Sequence, residues 1–180
     1  MSRKRSARGS VGGEVRPTTQ RILESLSATL RPRLEGARVL DLFAGTGQVG
    51  LEMAELGAER VVFVEGHRRV AQALRKRLAE SEHGGRCELV VGAIPSVLGR
   101  IEGHFELILC DPPYDWEAPE SLLPAAADLA VPGGLLVVEH HHKTSYPPVS
   151  GWDIYRCQKF GETRLSYFER EGSERGRVIN

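Results

Sequence analysis

Residues 107–114, LILCDPPY, place an acid, two prolines and a tyrosine directly after an apolar run. The apolar residues predict a short buried strand, because the run is too short for a helix. Two consecutive prolines end that strand, remove two backbone donors and fix φ at both positions. Asp111 and Tyr114 are therefore predicted to stand on a rigid turn at the carboxyl end of a strand, which is where ligands bind in open α/β sheets.

An exocyclic amino group on a planar base or amide is the chemical group that suits this turn. Its lone pair is delocalised, so a site that alkylates it needs acceptors for its two protons. The Asp111 carboxylate and the Pro112 carbonyl can accept them, and Tyr114 offers a flat face for stacking. A base within a duplex must first be flipped out. The alternative is a Pro-Pro turn that only ends the strand, with Tyr114 packed on the surface.

A glycine loop lies upstream, in residues 41–50, DLFAGTGQVG. Gly45, Gly47 and Gly50 match the dinucleotide-binding fingerprint, and Glu65 follows at the spacing expected of a residue that accepts hydrogen bonds from ribose hydroxyls. NAD and S-adenosylmethionine both present that ribose. Asp41 favours S-adenosylmethionine, because a carboxylate suits its ammonium and sulfonium groups and repels a pyrophosphate. The remaining alternative is a tight turn that Asp41 caps.

Strand and helix patterns alternate around these motifs. Helices are predicted over about 18–30, 48–58, 67–80, 94–100 and 119–130, and strands over 37–42, 60–65, 87–92, 104–110 and 133–140. Two further strands, 152–160 and 162–170, are joined by a turn around Gly161 and read as an antiparallel hairpin. The pattern predicts an α/β fold with a doubly wound, mostly parallel seven-stranded sheet that ends in this hairpin.

Composition and charge limit the classes of function that the chain can have. The 180 residues carry 24 basic and 24 acidic side chains, so net charge alone does not indicate a nucleic-acid partner. We expect a flexible basic arm over 1–15, one domain over 16–170 and a frayed tail over 171–180. No apolar run is long enough to span a membrane, and the basic start lacks the apolar core of a signal peptide. The expected location is cytoplasmic.

Cysteines and histidines show no metal-ligand spacing. Three scattered cysteines form no CxxC pair and are expected to stay reduced. Residues 139–143, EHHHK, put consecutive histidines on alternating faces of an extended chain, where they cannot all bind one ion. This segment is predicted to be a solvated strand end, and no metal is expected.

The chain resembles the amino-group branch of class I S-adenosylmethionine-dependent methyltransferases, and more narrowly the RsmD-type bacterial 16S rRNA guanine-N2 methyltransferases. The resemblance is carried by RPTTQRILESL, LDLFAGTGQVGLEMAELGA with VVFVE, DPPY and KFGETRLSYFER, across most of residues 16–170. It implies a Rossmann-like fold and methylation of guanine N2 in 16S rRNA, either naked or in the assembled small subunit. It places cofactor contacts at Asp41, Phe43, Gly45, Gly47, Glu65, Ala93, Arg16 and Thr18, and catalytic residues at Asp111, Pro112, Pro113 and Tyr114.

Four other activities stay open at this point. DPPY-like motifs also serve adenine-N6 and protein glutamine-N5 methylation, so the target amine is not fixed by the tetrapeptide. A NAD-binding oxidoreductase shares the glycine loop and the acid after the second strand. A non-catalytic RNA-binding module could keep the fold. The oligomeric state is also left open, and a monomer is compatible with the sequence.

Overall fold

The computed structural model describes residues 17–113, 116, 122, 124–126, 128–144, 146 and 150–172, with side chains from Gln20 onward. Its elements, in chain order, are α1 (Pro17–Leu30), β1 (Arg38–Leu42), α2 (Gln48–Glu55), β2 (Arg60–Glu65), α3 (Arg68–Glu80), β3 (Cys87–Val91), β4 (Phe105–Cys110), β5 (Ala130–His141), β6 (Trp152–Phe160) and β7 (Thr163–Arg170). Among the described residues, no helix is both long and apolar enough to cross a membrane.

The seven strands form one sheet in the order β3-β2-β1-β4-β5-β7-β6. The first five strands of that order are parallel, while β7 runs antiparallel to both β5 and β6. The prediction of a mostly parallel seven-stranded sheet with a closing hairpin is therefore confirmed. The order reverses between β1 and β4, and the crevice at that switch point is where open α/β sheets bind ligands.

Two apolar cores cover the sheet, because successive side chains of a buried strand point to opposite faces. One face, here called the α1–α3 face, packs against α1, α2 and α3 and includes Val39, Phe63, Leu109 and Val137. The other face packs against residues 97–101 and the 122–129 segment, and includes Leu40, Val64, Cys110 and Val138. This alternation fixes the face from which each polar residue at a strand end emerges.

One predicted helix is wrong and another falls partly outside the described residues. The helix expected over 94–100 is a turn followed by a 3-10 turn, Leu98–Arg100. Pro95 lacks the N–H that a regular helix would use there. Of the helix expected over 119–130, residues 122 and 124–126 are helical, and β5 already begins at Ala130. The basic arm and residues 173–180 of the predicted tail lie outside the described residues.

Candidate active site

Asp41 is buried near the end of β1 and caps the start of α2. Its Oδ2 accepts a hydrogen bond of 3.1 Å from the backbone N–H of Gly50, in the first turn of that helix. A helix N-terminus favours a carboxylate at this place. One N–H donor leaves most of the acceptor capacity of a carboxylate unused, so Asp41 fits a further donor or cation from the ligand side.

Gly50 is required by packing. A Cβ added there would lie 2.3 Å from Cε1 of Phe63 and 2.8 Å from Oδ2 of Asp41. Real Cβ atoms do not approach other heavy atoms this closely, so the third glycine of the motif lets α2 lie against the sheet. The same glycine brings its N–H within reach of Asp41.

We expect Gly50→Ala to lower the free energy of unfolding by about 1–3 kcal/mol, the usual cost of overpacking. The methyl group must displace the fully buried Phe63 ring or the Asp41 carboxylate, so binding of S-adenosylhomocysteine should weaken as well. Urea unfolding and calorimetry measure the two effects. Gly99→Ala is the matched control, because a Cβ at Gly99 meets nothing within 4 Å. Equal stability of the two variants would contradict the packing role.

Glu65 joins the glycine loop to the start of α3. Its Oε2 accepts the N–H of Gly45 at 3.0 Å, and its Oε1 accepts the N–H of His67 at 2.6 Å. Both carboxylate oxygens are thereby oriented at the tip of β2, and each keeps a lone pair for a ribose hydroxyl. The backbone at Ala93 lies beside this tip, since the Gly92 N–H donates to the Glu65 carbonyl at 3.1 Å.

Three residues of the loop between β1 and α2 have a left-handed backbone conformation. Phe43 has φ of 61°, Gly45 of 55° and Gly47 of 74°. Phe43 is the non-glycine residue in that set, and a bulky side chain at positive φ is a strained conformation that concentrates at functional sites. Its ring packs edge-on against Trp116, with centroids 5.2 Å apart. On the outer side, Arg77 donates to the Thr46 carbonyl at 3.0 Å, a loop contact that the sequence pattern did not reveal.

Asp111 follows β4 directly, as predicted. Pro112 and Pro113 continue the chain, and the Pro113 carbonyl accepts the N–H of Trp116 at 2.9 Å. Asp111 is exposed at the strand end. Tyr114 lies outside the described residues.

Three carboxyl groups emerge from the α1–α3 face at neighbouring strand ends. Asp41 lies in register with Leu109 and Phe63, whose side chains belong to the α1–α3 core. Two residues further along β2 and β4 come Glu65 and Asp111, which therefore emerge from the same face one layer higher. The three carboxyl groups therefore form a row across β2, β1 and β4, and this row spans the switch point of the sheet.

Burial raises the pKa values of Asp41 and Asp111. Burial raises the pKa of Asp41 to about 7, the Gly50 N–H opposes the rise, and the charges of Asp111 and Glu65 add to it. Asp111 keeps an exposed side chain, yet the surrounding protein removes enough water to raise its pKa to about 6. A site that collects repelling carboxyl groups is complementary to a cation with several donors. The ammonium, sulfonium and ribose hydroxyls of S-adenosylmethionine meet that requirement.

The structure describes some of the other predicted site residues only in part. Arg16 lies outside the described residues, and Thr18 is in the first turn of α1 without a described side chain. Among the residues that the structure describes, no group of three or more His, Cys, Asp and Glu is arranged to hold a metal ion. Sequence reasoning treated Glu139 as part of a solvated strand end, but it is half-buried and its pKa responds to Asp111. The position of Glu139 relative to Asp111 follows from the register of β5 with β4.

Known proteins resemble this chain in sequence and in fold. The ribosomal RNA small subunit methyltransferase D of Escherichia coli K12 is 30% identical over 164 residues, covering 87% of this chain and 80% of that protein. The solved structure of yhhF from Escherichia coli superposes with a TM-score of 0.78 at 29% identity, covering 88% of this chain and 89% of the other. The strand order is that of class I methyltransferases.

A second group of relatives matches a shorter stretch. A tRNA1(Val) (adenine(37)-N6)-methyltransferase of Shewanella strain MR-4 is 35% identical over 92 residues, which cover 50% of this chain and 39% of that protein. The family model that matches residues 2–169 is described as conserved hypothetical protein 95. Since that match spans nearly the whole chain and the Escherichia coli relative is 30% identical over 87% of it, the chain belongs to the RsmD-type family of ribosomal RNA methyltransferases.

Proposed function

We propose that this chain transfers a methyl group from S-adenosylmethionine to the exocyclic N2 of a guanine in 16S rRNA of the small ribosomal subunit. One observation carries the proposal. Asp111 stands at the end of β4, one strand from Asp41 and on the same face as Asp41 and Glu65. The arrangement supports the proposal, because an acceptor for an amine would then lie beside the carboxyl groups that suit the methyl donor.

Each residue has a distinct task in this proposal. S-adenosylmethionine, when bound, supplies an electrophilic methyl group on a sulfonium. Asp41 pairs with the cationic end of the cofactor, and Glu65 accepts its ribose hydroxyls. Asp111 and the Pro112 carbonyl accept hydrogen bonds from the two N–H groups of the target amine. These two hydrogen bonds aim the nitrogen lone pair at the methyl group. Positioning contributes more than strong base catalysis, since the displacement is in line.

Three further residues are assigned by the resemblance. Tyr114 stacks on the flipped base, and Arg16 and Thr18 close over the cofactor or face the substrate. Phe43, Gly45, Gly47 and Ala93 border the cofactor through the strained loop and the backbone beside the β2 tip. The name of the Escherichia coli relative, a small-subunit methyltransferase, supports rRNA as the substrate. The proposal places the enzyme in the cytoplasm, where ribosomal subunits are made.

Adenine N6 is the second candidate target. The Shewanella relatives are adenine-N6 methyltransferases by name, and N6 of adenine is also an exocyclic amine. They match half of this chain, whereas the small-subunit relative matches 87% of it. The longer match favours rRNA of the small subunit as the substrate, and the choice of guanine N2 rests on the family resemblance.

Transfer of labelled methyl from S-adenosylmethionine to undermodified small subunits and to naked 16S rRNA tests the proposal. Nucleoside analysis of the product should give N2-methylguanosine. Detection of N6-methyladenosine would instead identify adenine N6 as the target. RNA retention without label would indicate a binding module, and a rise in melting temperature with NAD in place of S-adenosylhomocysteine would indicate an oxidoreductase.

A further inference from the structure

A fourth carboxyl group lies next to Asp111, on β5. The strands β4 and β5 are paired with Leu109 beside Val137 and Cys110 beside Val138. The next position along both chains puts Asp111 beside Glu139. Leu109 and Val137 both belong to the α1–α3 core, so Asp111 and Glu139 emerge from that same face. The pairing ends at Cys110 and Val138, one residue earlier. Because neighbouring strands are about 4.8 Å apart and the charge of Asp111 acts on Glu139, we take the two carboxyl groups to lie close together.

Within this pair, Glu139 is the group whose pKa is raised further. Burial, and to a smaller extent the charge of Asp111, raises the pKa of Glu139 to about 8. The pKa of Asp111 is raised to about 6. Asp41 lies one layer deeper on the same face, and His140 emerges from the opposite one, where it contacts Tyr146 and Ser166. Glu139 is therefore the protonated member, with one O–H donor and one carbonyl acceptor.

A neutral carboxyl group matches one base edge in particular. The Watson–Crick edge of guanine presents the N2 amine, then the N1–H donor, then the O6 acceptor. A carboxylic acid beside the group that holds N2 can accept from N1–H and donate to O6 at once. Adenine has no such neighbour, because the position next to its N6 amine is an acceptor, N1.

We propose that Glu139 determines the choice of guanine, pairing with N1–H and O6 of the target base while Asp111 holds its N2. This inference rests on the proposed function, and it adds the group that reads the base. Among the described residues, no hydrogen bond engages the Glu139 carboxyl group, and the side chain is half-buried at the strand end. Asp41 and Glu65 already serve the cofactor, which leaves Glu139 for the substrate.

The test compares guanine with 2-aminopurine at the target position, once that position has been mapped in the wild-type product. 2-Aminopurine keeps the N2 amine but lacks N1–H and O6. Wild type, Glu139→Gln and Glu139→Leu are assayed on rRNA fragments carrying either base, with Glu162→Leu, in the exposed β6–β7 turn, as control. Two readouts are taken: kcat/KM for methyl transfer, and the affinity of each RNA for the S-adenosylhomocysteine complex.

Wild type should prefer guanine by about 10- to 100-fold in both readouts, the usual value of a two-point contact to a base edge. Glu139→Gln should keep that preference, because an amide also offers one acceptor and one donor. Glu139→Leu should lose it, with unchanged binding of S-adenosylhomocysteine.

Three results would overturn the inference: a wild type with equal kcat/KM for both bases, a Glu139→Leu variant that still prefers guanine, or a Glu139→Gln variant that loses the preference for guanine. The first and third need no leucine variant, so the inference remains testable if Glu139→Leu does not fold. A wild type that makes no N2-methylguanosine would instead refute the proposed function itself.

Discussion

Asp111→Ala is expected to lower kcat for methyl transfer by about 10²- to 10⁴-fold, the range of a positioned proton acceptor. The variant loses the group that orients the target amine at the end of β4. Binding of S-adenosylhomocysteine should be retained, because Asp41 and Glu65 keep their backbone partners Gly50 and Gly45. Single-turnover transfer and calorimetry separate these two quantities.

The pH profile identifies what Asp111 does. Its carboxylate form accepts hydrogen bonds from the amine, so activity should rise with pH through an apparent pKa of about 6 and level off below the pKa of about 8 at which Glu139 loses its proton. Asp111→Asn should retain a hydrogen-bond acceptor but lose this acid limb. Asp153→Asn, exposed on β6, is the matched control. Full activity of Asp111→Ala would refute the assignment of this residue.

Asp41→Asn is expected to act in opposite directions on binding and on stability. Removing one member of a buried charge pair costs about 2–5 kcal/mol. The affinity for S-adenosylmethionine should therefore fall by roughly 10²-fold or more. The same substitution should stabilise the ligand-free protein above pH 7, by roughly 1–3 kcal/mol, because a buried carboxylate is replaced by a neutral amide that still accepts the Gly50 N–H.

The sign of the pH effect follows from the raised pKa of Asp41. Between an unfolded value near 3.8 and a folded value of about 7, the folded state holds a proton that the unfolded state has released. The free energy of unfolding contributed by this group therefore falls as pH rises across that window and is constant above it. Urea unfolding of wild type and Asp41→Asn at several pH values should converge near pH 4 and diverge by pH 8. A constant difference across pH would mean that Asp41 ionises freely in the folded protein.

Much of the fold followed from local sequence patterns. The predicted β2 has the same bounds as the observed strand, and α1 and α3 differ by one residue at their starts. Asp41, the glycines and Glu65 were predictable as a set because a strand, a tight loop and a helix each leave a distinct pattern. The turn at 94–97 was not, since Ile94, Val97 and Leu98 mimic a helix stripe that Pro95 interrupts.

The missing parts of the site depend on pairing between distant segments. Glu139 is followed by three histidines, which suggested a solvated strand end. The proximity of Glu139 to Asp111 depends on the register of β5 against β4, and no pattern within either strand encodes that register. The positive φ of Phe43 is likewise imposed by the loop as a whole. The contact of Arg77 with Thr46 connects two elements whose relative placement only the tertiary fold fixes.

The position of β7 determines when the sheet of a nascent chain can be completed. This strand is made last among the seven, yet it lies between β5 and β6 and contains the fully buried Tyr167. While the ribosome is extending the chain from β5 to β7, β5 has one free edge with unpaired backbone N–H and C=O groups, and such edges readily pair with other chains. The carboxyl end of β5, with Glu139, becomes fixed only when Thr163–Arg170 docks beside it. We therefore expect the enzyme to remain inactive throughout its own synthesis and to depend on rapid hairpin closure for its yield.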